Sequence, residues 1–156
     1  MPHVKHFFSV VVVATALTAT SALAAGSDSY TYKPSASSEI SKATKAINAK
    51  DFSKAYSILT KAVKTSPKDA DIHNLLGYSA RKMGQYDASE GHYTRALELD
   101  PKHKGALEYM GELYLTLNQP DKAEALRDRL DKVCWLGCDE LDILNKAIDD
   151  WKADNS

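Results

Sequence analysis

The chain has 156 residues, of which 44% are hydrophobic and 26% are charged, and its 20 Lys and Arg residues nearly balance its 21 Asp and Glu residues. The net charge of -1, without any polybasic cluster, argues against nucleic acid or an anionic membrane surface as a partner. The length and apolar content suit a folded domain with a substantial core.

The first 24 residues have the pattern of a secretory signal peptide. Lys5 gives a basic start, residues 7–17 form an apolar run that is short for a bilayer span, and residues 22–24 supply small side chains for cleavage. We therefore expect cleavage after Ala24 and a mature chain of about 132 residues, periplasmic or secreted, with no further membrane segment. A retained anchor or a buried core helix is the alternative interpretation of this run.

Residues 25–35 carry no hydrophobic period and predict a flexible lead-in, with docking of Tyr30 and Tyr32 on the first helix as the alternative. Beyond them, apolar residues at helical spacing predict three helix pairs. Gly84 suits the left-handed turn that ends a helix, and Pro120 suits the first turn of the next one. The predicted helices are 38–49 and 52–65, 70–83 and 86–99, and 104–117 and 120–133.

A phrase of the sequence also repeats with a 34-residue step. Leu76, Gly77, Tyr93, Ala96 and Pro101 form the central copy. Their counterparts at this step are Leu59, Ala62 and Pro67 before it and Met110 and Gly111 after it. Together with the small residues at the helix crossings, the segment LLGYSARKMGQYDASEGHYTRALELDP resembles the tetratricopeptide repeat family.

The resemblance implies an all-α fold, a right-handed α-solenoid of three helix-turn-helix repeats plus a C-terminal capping helix. Its repeats would span 36–69, 70–103 and 104–137, and we expect all helices to share one continuous apolar interior. In the third repeat Arg127 replaces the aromatic residue that the family pattern requires, so we expect its second helix to pack differently, against whatever follows.

The segment after the third repeat predicts the capping helix, residues 138–152. Asp139 is a candidate N-cap, and Leu141, Leu144, Ile148 and Trp151 form one apolar stripe at helical spacing. A helix that is apolar on one side only suits the end of a solenoid, so we expect Trp151 to belong to the core.

Cys134 and Cys138 are the only cysteines of the chain. Gly137 allows the helix to break between them, and in an oxidising compartment we expect a disulfide that holds the capping helix in place. Two alternatives remain: a thiol-disulfide exchange site and a soft-metal site for copper(I). The Cys-x-x-x-Cys followed by an acidic residue also resembles the C-terminus of small exported tetratricopeptide proteins of Gram-negative bacteria, a resemblance that names no activity.

No motif for catalysis is present in the sequence. His73, His92 and His103 have no nucleophile motif beside them, and there is no phosphate-binding glycine loop or His-Glu-x-x-His run. We expect His73 to be a packed helix-face residue. The sequence therefore predicts neither an enzyme nor a bound cofactor or metal.

Stacked helix pairs leave the first helix of each pair on a concave surface, where the family binds proteins and peptides. In chaperone-associated members, Lys, Asn and Arg on this surface grip a terminal carboxylate. Here the matching places hold Ile40, Thr44, Leu75, Gly105 and Tyr109, so an acidic C-terminus is not the expected ligand. An ordinary solvated face is the alternative to a binding groove. The candidate partner-binding residues are Asn74, Tyr78, Arg81, Glu108, Tyr109 and Glu112.

Overall fold

The computed structural model describes residues 36–155, and the predicted signal peptide and lead-in lie outside them. The described residues form seven helices and no strands. None of these helices combines the length and the apolar composition that crossing a bilayer requires. The helices are α1 (Ala36–Asn48), α2 (Phe52–Thr65), α3 (Ala70–Lys82), α4 (Tyr86–Leu99), α5 (Lys104–Thr116), α6 (Pro120–Val133) and α7 (Asp139–Asp154).

The turn inside each helix pair repeats with the 34-residue step of the sequence. Lys50, Gly84 and Asn118 all have positive φ, at 59°, 76° and 58°. In each turn the backbone N–H of the following residue donates to a carbonyl five residues earlier, at 2.8–2.9 Å. This bond satisfies an end group of the first helix and reverses the chain direction. Only the central copy uses glycine, so the other two turns accept the steric cost of a side chain.

Polar side chains begin several of the helices. Asp51 accepts a hydrogen bond from the Lys54 N–H at 3.1 Å, and Asp69 accepts one from the Ile72 N–H at 3.2 Å. At α5 the same role falls to His103, whose Nδ1 accepts from the Ala106 N–H at 3.1 Å. Such caps satisfy N–H groups that have no partner within the helix.

The helices stack in two rows. Within each repeat α1 packs on α2, α3 on α4 and α5 on α6, and the pairs are joined by contacts of α2 with α3 and of α4 with α5. The first helices also contact one another in sequence, and α7 continues their row by packing against α5 as well as α6. The prediction of an all-α helical solenoid is confirmed.

The buried apolar side chains form two clusters, so the prediction of one continuous interior is wrong. The first cluster joins α1 and α2 to the start of α3, and the second extends from α4 to α7. Small or polar residues are also buried on α3 and α4, among them Gly77, Ser79, Ala80 and Ser89. The Ser89 hydroxyl donates to the Gly77 carbonyl at 2.8 Å, which satisfies a polar group between these two helices.

Two glycines show how the repeats close. A Cβ at Gly77 would lie 2.6 Å from the ring of Tyr93, which is fully buried against that bare backbone. In the third repeat the equivalent Gly111 is covered by Leu144 of α7, again with only 2.6 Å to a Cβ. Arg127, at the place of Tyr93, is half-buried and pairs with the neighbouring Asp128. The capping helix therefore fills the space that the missing aromatic side chain leaves.

The prediction that Asp139 caps α7 is wrong by one residue. The N-cap is Cys138, whose backbone is extended and whose carbonyl accepts from the Leu141 and Asp142 N–H groups. Gly137, with φ +87°, turns the chain so that Cys138 meets Cys134. Asp139 lies instead in the first turn, where a negative charge is favourable next to the helix N-terminus.

Candidate functional site

A pair of tyrosines joins α3 to α5 on the row of first helices. The rings of Tyr78 and Tyr109 have centroids 4.9 Å apart at an interplanar angle of 53°, and both side chains are half-buried. Phe52 contacts Tyr78 edge-on from α2, and Tyr93 contacts Tyr109 from α4. Aromatic side chains that are fixed by neighbours and partly open to solvent offer a ligand contact area at a low entropic cost.

An ion pair lies beside these rings. The guanidinium of Arg81 donates to the Glu112 carboxylate, and it also lies 5.8 Å from the centre of the Tyr78 ring. Its side chain keeps only 10% of its surface exposed, and its Nε has no hydrogen-bond partner. Lys82 lies over the same tyrosine ring at 5.4 Å. The positive charge of Arg81 is thus largely neutralised by Glu112 within the protein.

Glu108 is the most unusual residue of this surface. It keeps 5% of its surface exposed, and no hydrogen-bond donor in the described part of the chain reaches its carboxylate. Burial, together with the negative charges of Glu112 and Glu140, raises the pKa of Glu108 to about 7, against an opposing effect of Arg81. The Glu108 oxygens are not among the fully buried unpaired atoms, so they still reach solvent, but burial of the rest of the side chain makes the charged form costly.

A close contact between α3 and α5 lies one helical turn before Glu108. A Cβ at Gly105 would be 3.2 Å from Asn74 Nδ2 and 3.8 Å from the Tyr109 ring, so the bare backbone of glycine lets Asn74 pack closely on α5. Asn74 keeps 7% of its surface exposed, and its Oδ1 is buried without a donor. At the edge of this region His103 Nε2 lies 3.0 Å from the exposed carboxylate of Asp71.

The structure brings five of the six predicted residues into one neighbourhood and places Asn74 beside it, against Gly105. The charges of Arg81 and Glu112 are paired with each other within the protein, so neither is a free charge on the surface. Sequence reasoning missed the Asp71–His103 contact. Its separation of 32 residues, close to one repeat, is the signal that could have indicated it.

A second polar contact lies between α2, α3 and α4. The ring of His73 is 5.8 Å from that of His92, and His92 Nε2 lies 3.3 Å from the Tyr56 hydroxyl. Burial and the neighbouring His73 lower the pKa of His92. His73 itself is buried, with Nε2 at 3.2 Å from the Pro67 carbonyl, so it packs on a helix face as the sequence predicts.

The cysteines lie in disulfide geometry between α6 and α7, with 5.6 Å between their Cα atoms. Cys134 is buried, whereas Trp135 and Leu136 inside the five-residue loop keep 80% and 79% of their surfaces exposed. In the described residues no group of three or more His, Cys, Asp or Glu side chains has the arrangement of a metal site.

A separate cavity of about 390 Å³ opens between α4, α5 and α6. Leu97, Met110, Tyr114 and Leu126 form its apolar part, and Lys122 lies over the Tyr114 ring at 4.8 Å. None of the six predicted partner-binding residues lines this cavity, which belongs to the second-helix side of the stack.

Comparison with protein families identifies the repeat. Two models described as tetratricopeptide repeat match residues 70–103 and residues 92–125. This chain contains tetratricopeptide repeats. The first match coincides with the predicted second repeat, and the second covers the last half of α4, all of α5 and the beginning of α6, overlapping the first over residues 92–103. No curated protein sequence matches the chain.

Solved structures with the same fold include bacterial and eukaryotic repeat proteins. A tetratricopeptide repeat protein from Parabacteroides merdae matches 76% of this chain at 18% identity and a TM-score of 0.64, and the chain spans 46% of that protein's length. The first repeat domain of Spaghetti (RPAP3), bound to the HSP90 peptide SRMEEVD, matches 74% of this chain and 91% of its own length at 15% identity and a TM-score of 0.65.

The type III secretion translocator chaperone SycD from Yersinia enterocolitica matches 78% of this chain and 94% of its own length, at 15% identity and a TM-score of 0.69. At these identities the likeness concerns the fold. The chain therefore shares its helical solenoid fold with these three proteins.

Proposed function

We propose that this protein is an exported adaptor or assembly factor that binds a protein or peptide partner on the row formed by α1, α3, α5 and α7. The observation that carries the proposal is the Tyr78–Tyr109 pair, two half-buried rings 4.9 Å apart on neighbouring first helices. Their positions are fixed by Phe52 and Tyr93, so little side-chain freedom is lost when a ligand binds.

The comparisons support a protein-binding role in general terms. One neighbour is a repeat domain bound to a peptide and another is a secretion chaperone, and both share the fold of this chain. Tetratricopeptide repeats act as interaction modules, which favours binding over catalysis here. The ligand preference of this chain depends on its own residues and does not follow from its neighbours, because Glu108 and the Arg81–Glu112 pair determine the charge of its surface.

Export is a proposal that rests on the signal-peptide pattern of residues 1–24. The disulfide geometry of Cys134 and Cys138 supports it, since disulfides persist in oxidising compartments such as the periplasm. Burial of Cys134 favours a structural role for the pair over thiol exchange or copper handling.

Site-specific photo-cross-linking tests the binding surface. A photoreactive phenylalanine analogue replaces Tyr78 in one variant and Tyr86, the exposed first residue of α4, in the control variant. We expect a discrete cross-linked partner from position 78 and none from position 86. Cross-links of equal yield from both positions would contradict the proposed surface.

Analysis of the expressed protein tests export. We expect the mature N-terminus to begin after Ala24 and the protein to appear in the exported fraction. An intact N-terminus on protein that stays in the cytoplasm would refute this part of the proposal without affecting the binding surface.

A further inference from the structure

We propose that a second copy of this chain inserts its apolar tip, the side chains of Trp135 and Leu136, into the cavity between α4, α5 and α6. This interface is separate from the row of first helices that carries the proposed function. Its basis is that one chain holds both an open apolar cavity with basic residues at its rim and an exposed apolar tip with acidic residues after it. The two features are complementary in polarity and in charge.

The first observation is the space between α4 and α6. The backbones of these two helices are not in contact, and α5 forms the floor between them. The cavity of about 390 Å³ is within the range of about 300–1,000 Å³ that is usual for pockets that hold small ligands. Leu97, Met110 and Leu126 form part of its lining, so an apolar side chain that enters it covers apolar surface.

The second observation comes from the equivalent groove one repeat earlier. There Tyr56 of α2 reaches across to α4, where its hydroxyl lies 3.3 Å from His92 Nε2. At the 34-residue step, Glu90 and Leu126 hold these two places. Glu90 accepts a hydrogen bond from the Tyr114 hydroxyl of α5 at 2.8 Å, and in the described residues no hydrogen bond, ion pair or ring contact joins α4 to α6. The first groove is therefore crossed by an aromatic side chain of the chain itself, whereas the second is open to one from another copy.

The third observation is the tip. Trp135 and Leu136 keep 80% and 79% of their surfaces exposed, within the loop that the Cys134–Cys138 disulfide closes. Adjacent apolar side chains of this size and exposure are typical of an interaction site. Because the disulfide restricts the loop, little backbone freedom is lost when the tip is inserted.

The rim of the cavity carries positive charge. Lys122 and Arg129 both line it, and neither has a carboxylate partner in the part of the chain that the structure describes. Glu98 also lines the cavity, but its carboxylate pairs with Arg95. The charge that remains for a ligand at this rim is therefore positive.

Acidic residues follow the tip on α7. Asp139 and Asp142 are exposed, and neither has an ion-pair partner within residues 36–155. Asp139 comes only three residues after Leu136, so insertion of the tip brings negative charge to the basic rim of the other copy. The same acidic residues disfavour an anionic bilayer as the alternative site for Trp135.

Sedimentation equilibrium of the purified protein over a range of concentrations tests the inference. An inserted aromatic side chain buries about 150–250 Å², whereas a stable interface buries about 800 Å² per partner. We therefore expect weak self-association, with a dissociation constant of about 0.1–1 mM. The fluorescence emission of Trp135 should shift to shorter wavelengths as the concentration rises, because the indole leaves water.

Two variants test the tip. Trp135→Ala should weaken the self-association at least about tenfold, because it removes the side chain that fills the cavity. Ile143→Ala is the matched control, since it also removes an exposed apolar side chain of α7 but not one of the tip, and it should leave the association unchanged. Both replaced side chains are exposed, so the fold should be retained.

Two double variants test the charge of the rim. Lys122→Glu together with Arg129→Glu should weaken the self-association about tenfold, because the rim then repels the acidic residues after the tip. Lys61→Glu together with Lys68→Glu makes the same change in net charge on exposed residues outside the cavity. This control should associate like the native protein.

A protein that stays monomeric up to about 1 mM would overturn the inference, as would self-association that is unchanged in Trp135→Ala. The disulfide-closed peptide of residues 133–139 serves as a separate probe in an NMR titration. If it shifts the amide resonances of Met110 and Leu126 while the protein stays monomeric, the cavity accepts this chemistry from a different protein, and the second copy is wrong. None of these results bears on cross-linking at position 78, which tests the proposed function.

Discussion

Replacing Glu108 by Gln should stabilise the protein, and the gain should grow as the pH rises. The pKa of this carboxyl is raised from 4.5 to about 7 by burial and by Glu112 and Glu140. In the unfolded chain the group ionises near its ordinary pKa, so between these two pKa values the native state holds a proton that the unfolded state has lost. The native protein therefore loses stability as the pH rises from about 4.5 to about 7.

The size of the effect follows from the two pKa values. A rise from 4.5 to about 7 corresponds to about 3 kcal/mol of unfolding free energy once both states have ionised. Glutamine at position 108 keeps the shape of the acid but cannot ionise. We therefore expect the variant to be more stable by up to about 3 kcal/mol at about pH 8, and by less than about 1 kcal/mol at about pH 5.

Urea denaturation at several pH values measures this difference. Glu98→Gln is the control, because Glu98 is exposed and pairs with Arg95 on the same helix. Its unfolding free energy should follow that of the native protein at every pH. Parallel curves for the native protein and Glu108→Gln, or a less stable Glu108→Gln at high pH, would refute the reasoning that Glu108 is buried without a donor.

Two further predictions concern the helix contacts and the disulfide. Gly77→Ala should lower the unfolding free energy by about 1–3 kcal/mol, because its Cβ would lie 2.6 Å from the Tyr93 ring. Gly91→Ala, on open helix surface, should instead raise the unfolding free energy by up to about 1 kcal/mol. Thermal denaturation measures both variants, and equal effects would contradict the close contact at Gly77. Replacing Cys134 and Cys138 together by Ser should lower the unfolding free energy by about 2 kcal/mol. It should also lower the hydrogen-exchange protection of α7 more than that of α3. A uniform loss of protection would contradict a disulfide that stabilises α7 locally.

The sequence determined the helices and their order. The 34-residue period and the turn residues predicted six paired helices, and the structure has each boundary within two residues of the prediction. This succeeds because local chemistry ends each helix: Pro120 starts one, and Gly84 takes the left-handed backbone that stops another. The period also selected the solenoid, since each pair exposes an apolar face that only its neighbours can cover.

The tertiary structure determined the features that the 34-residue period of the sequence does not predict. Leu144 of α7 covers Gly111 in place of a third-repeat aromatic, and the buried apolar side chains form two clusters and not one. The state of each groove residue was likewise decided by its neighbours on other helices. Arg81 is neutralised by Glu112, while Glu108 is left without a donor. Repeat spacing predicts which helix face a side chain occupies, but burial and charge depend on side chains that come close only when the helices stack.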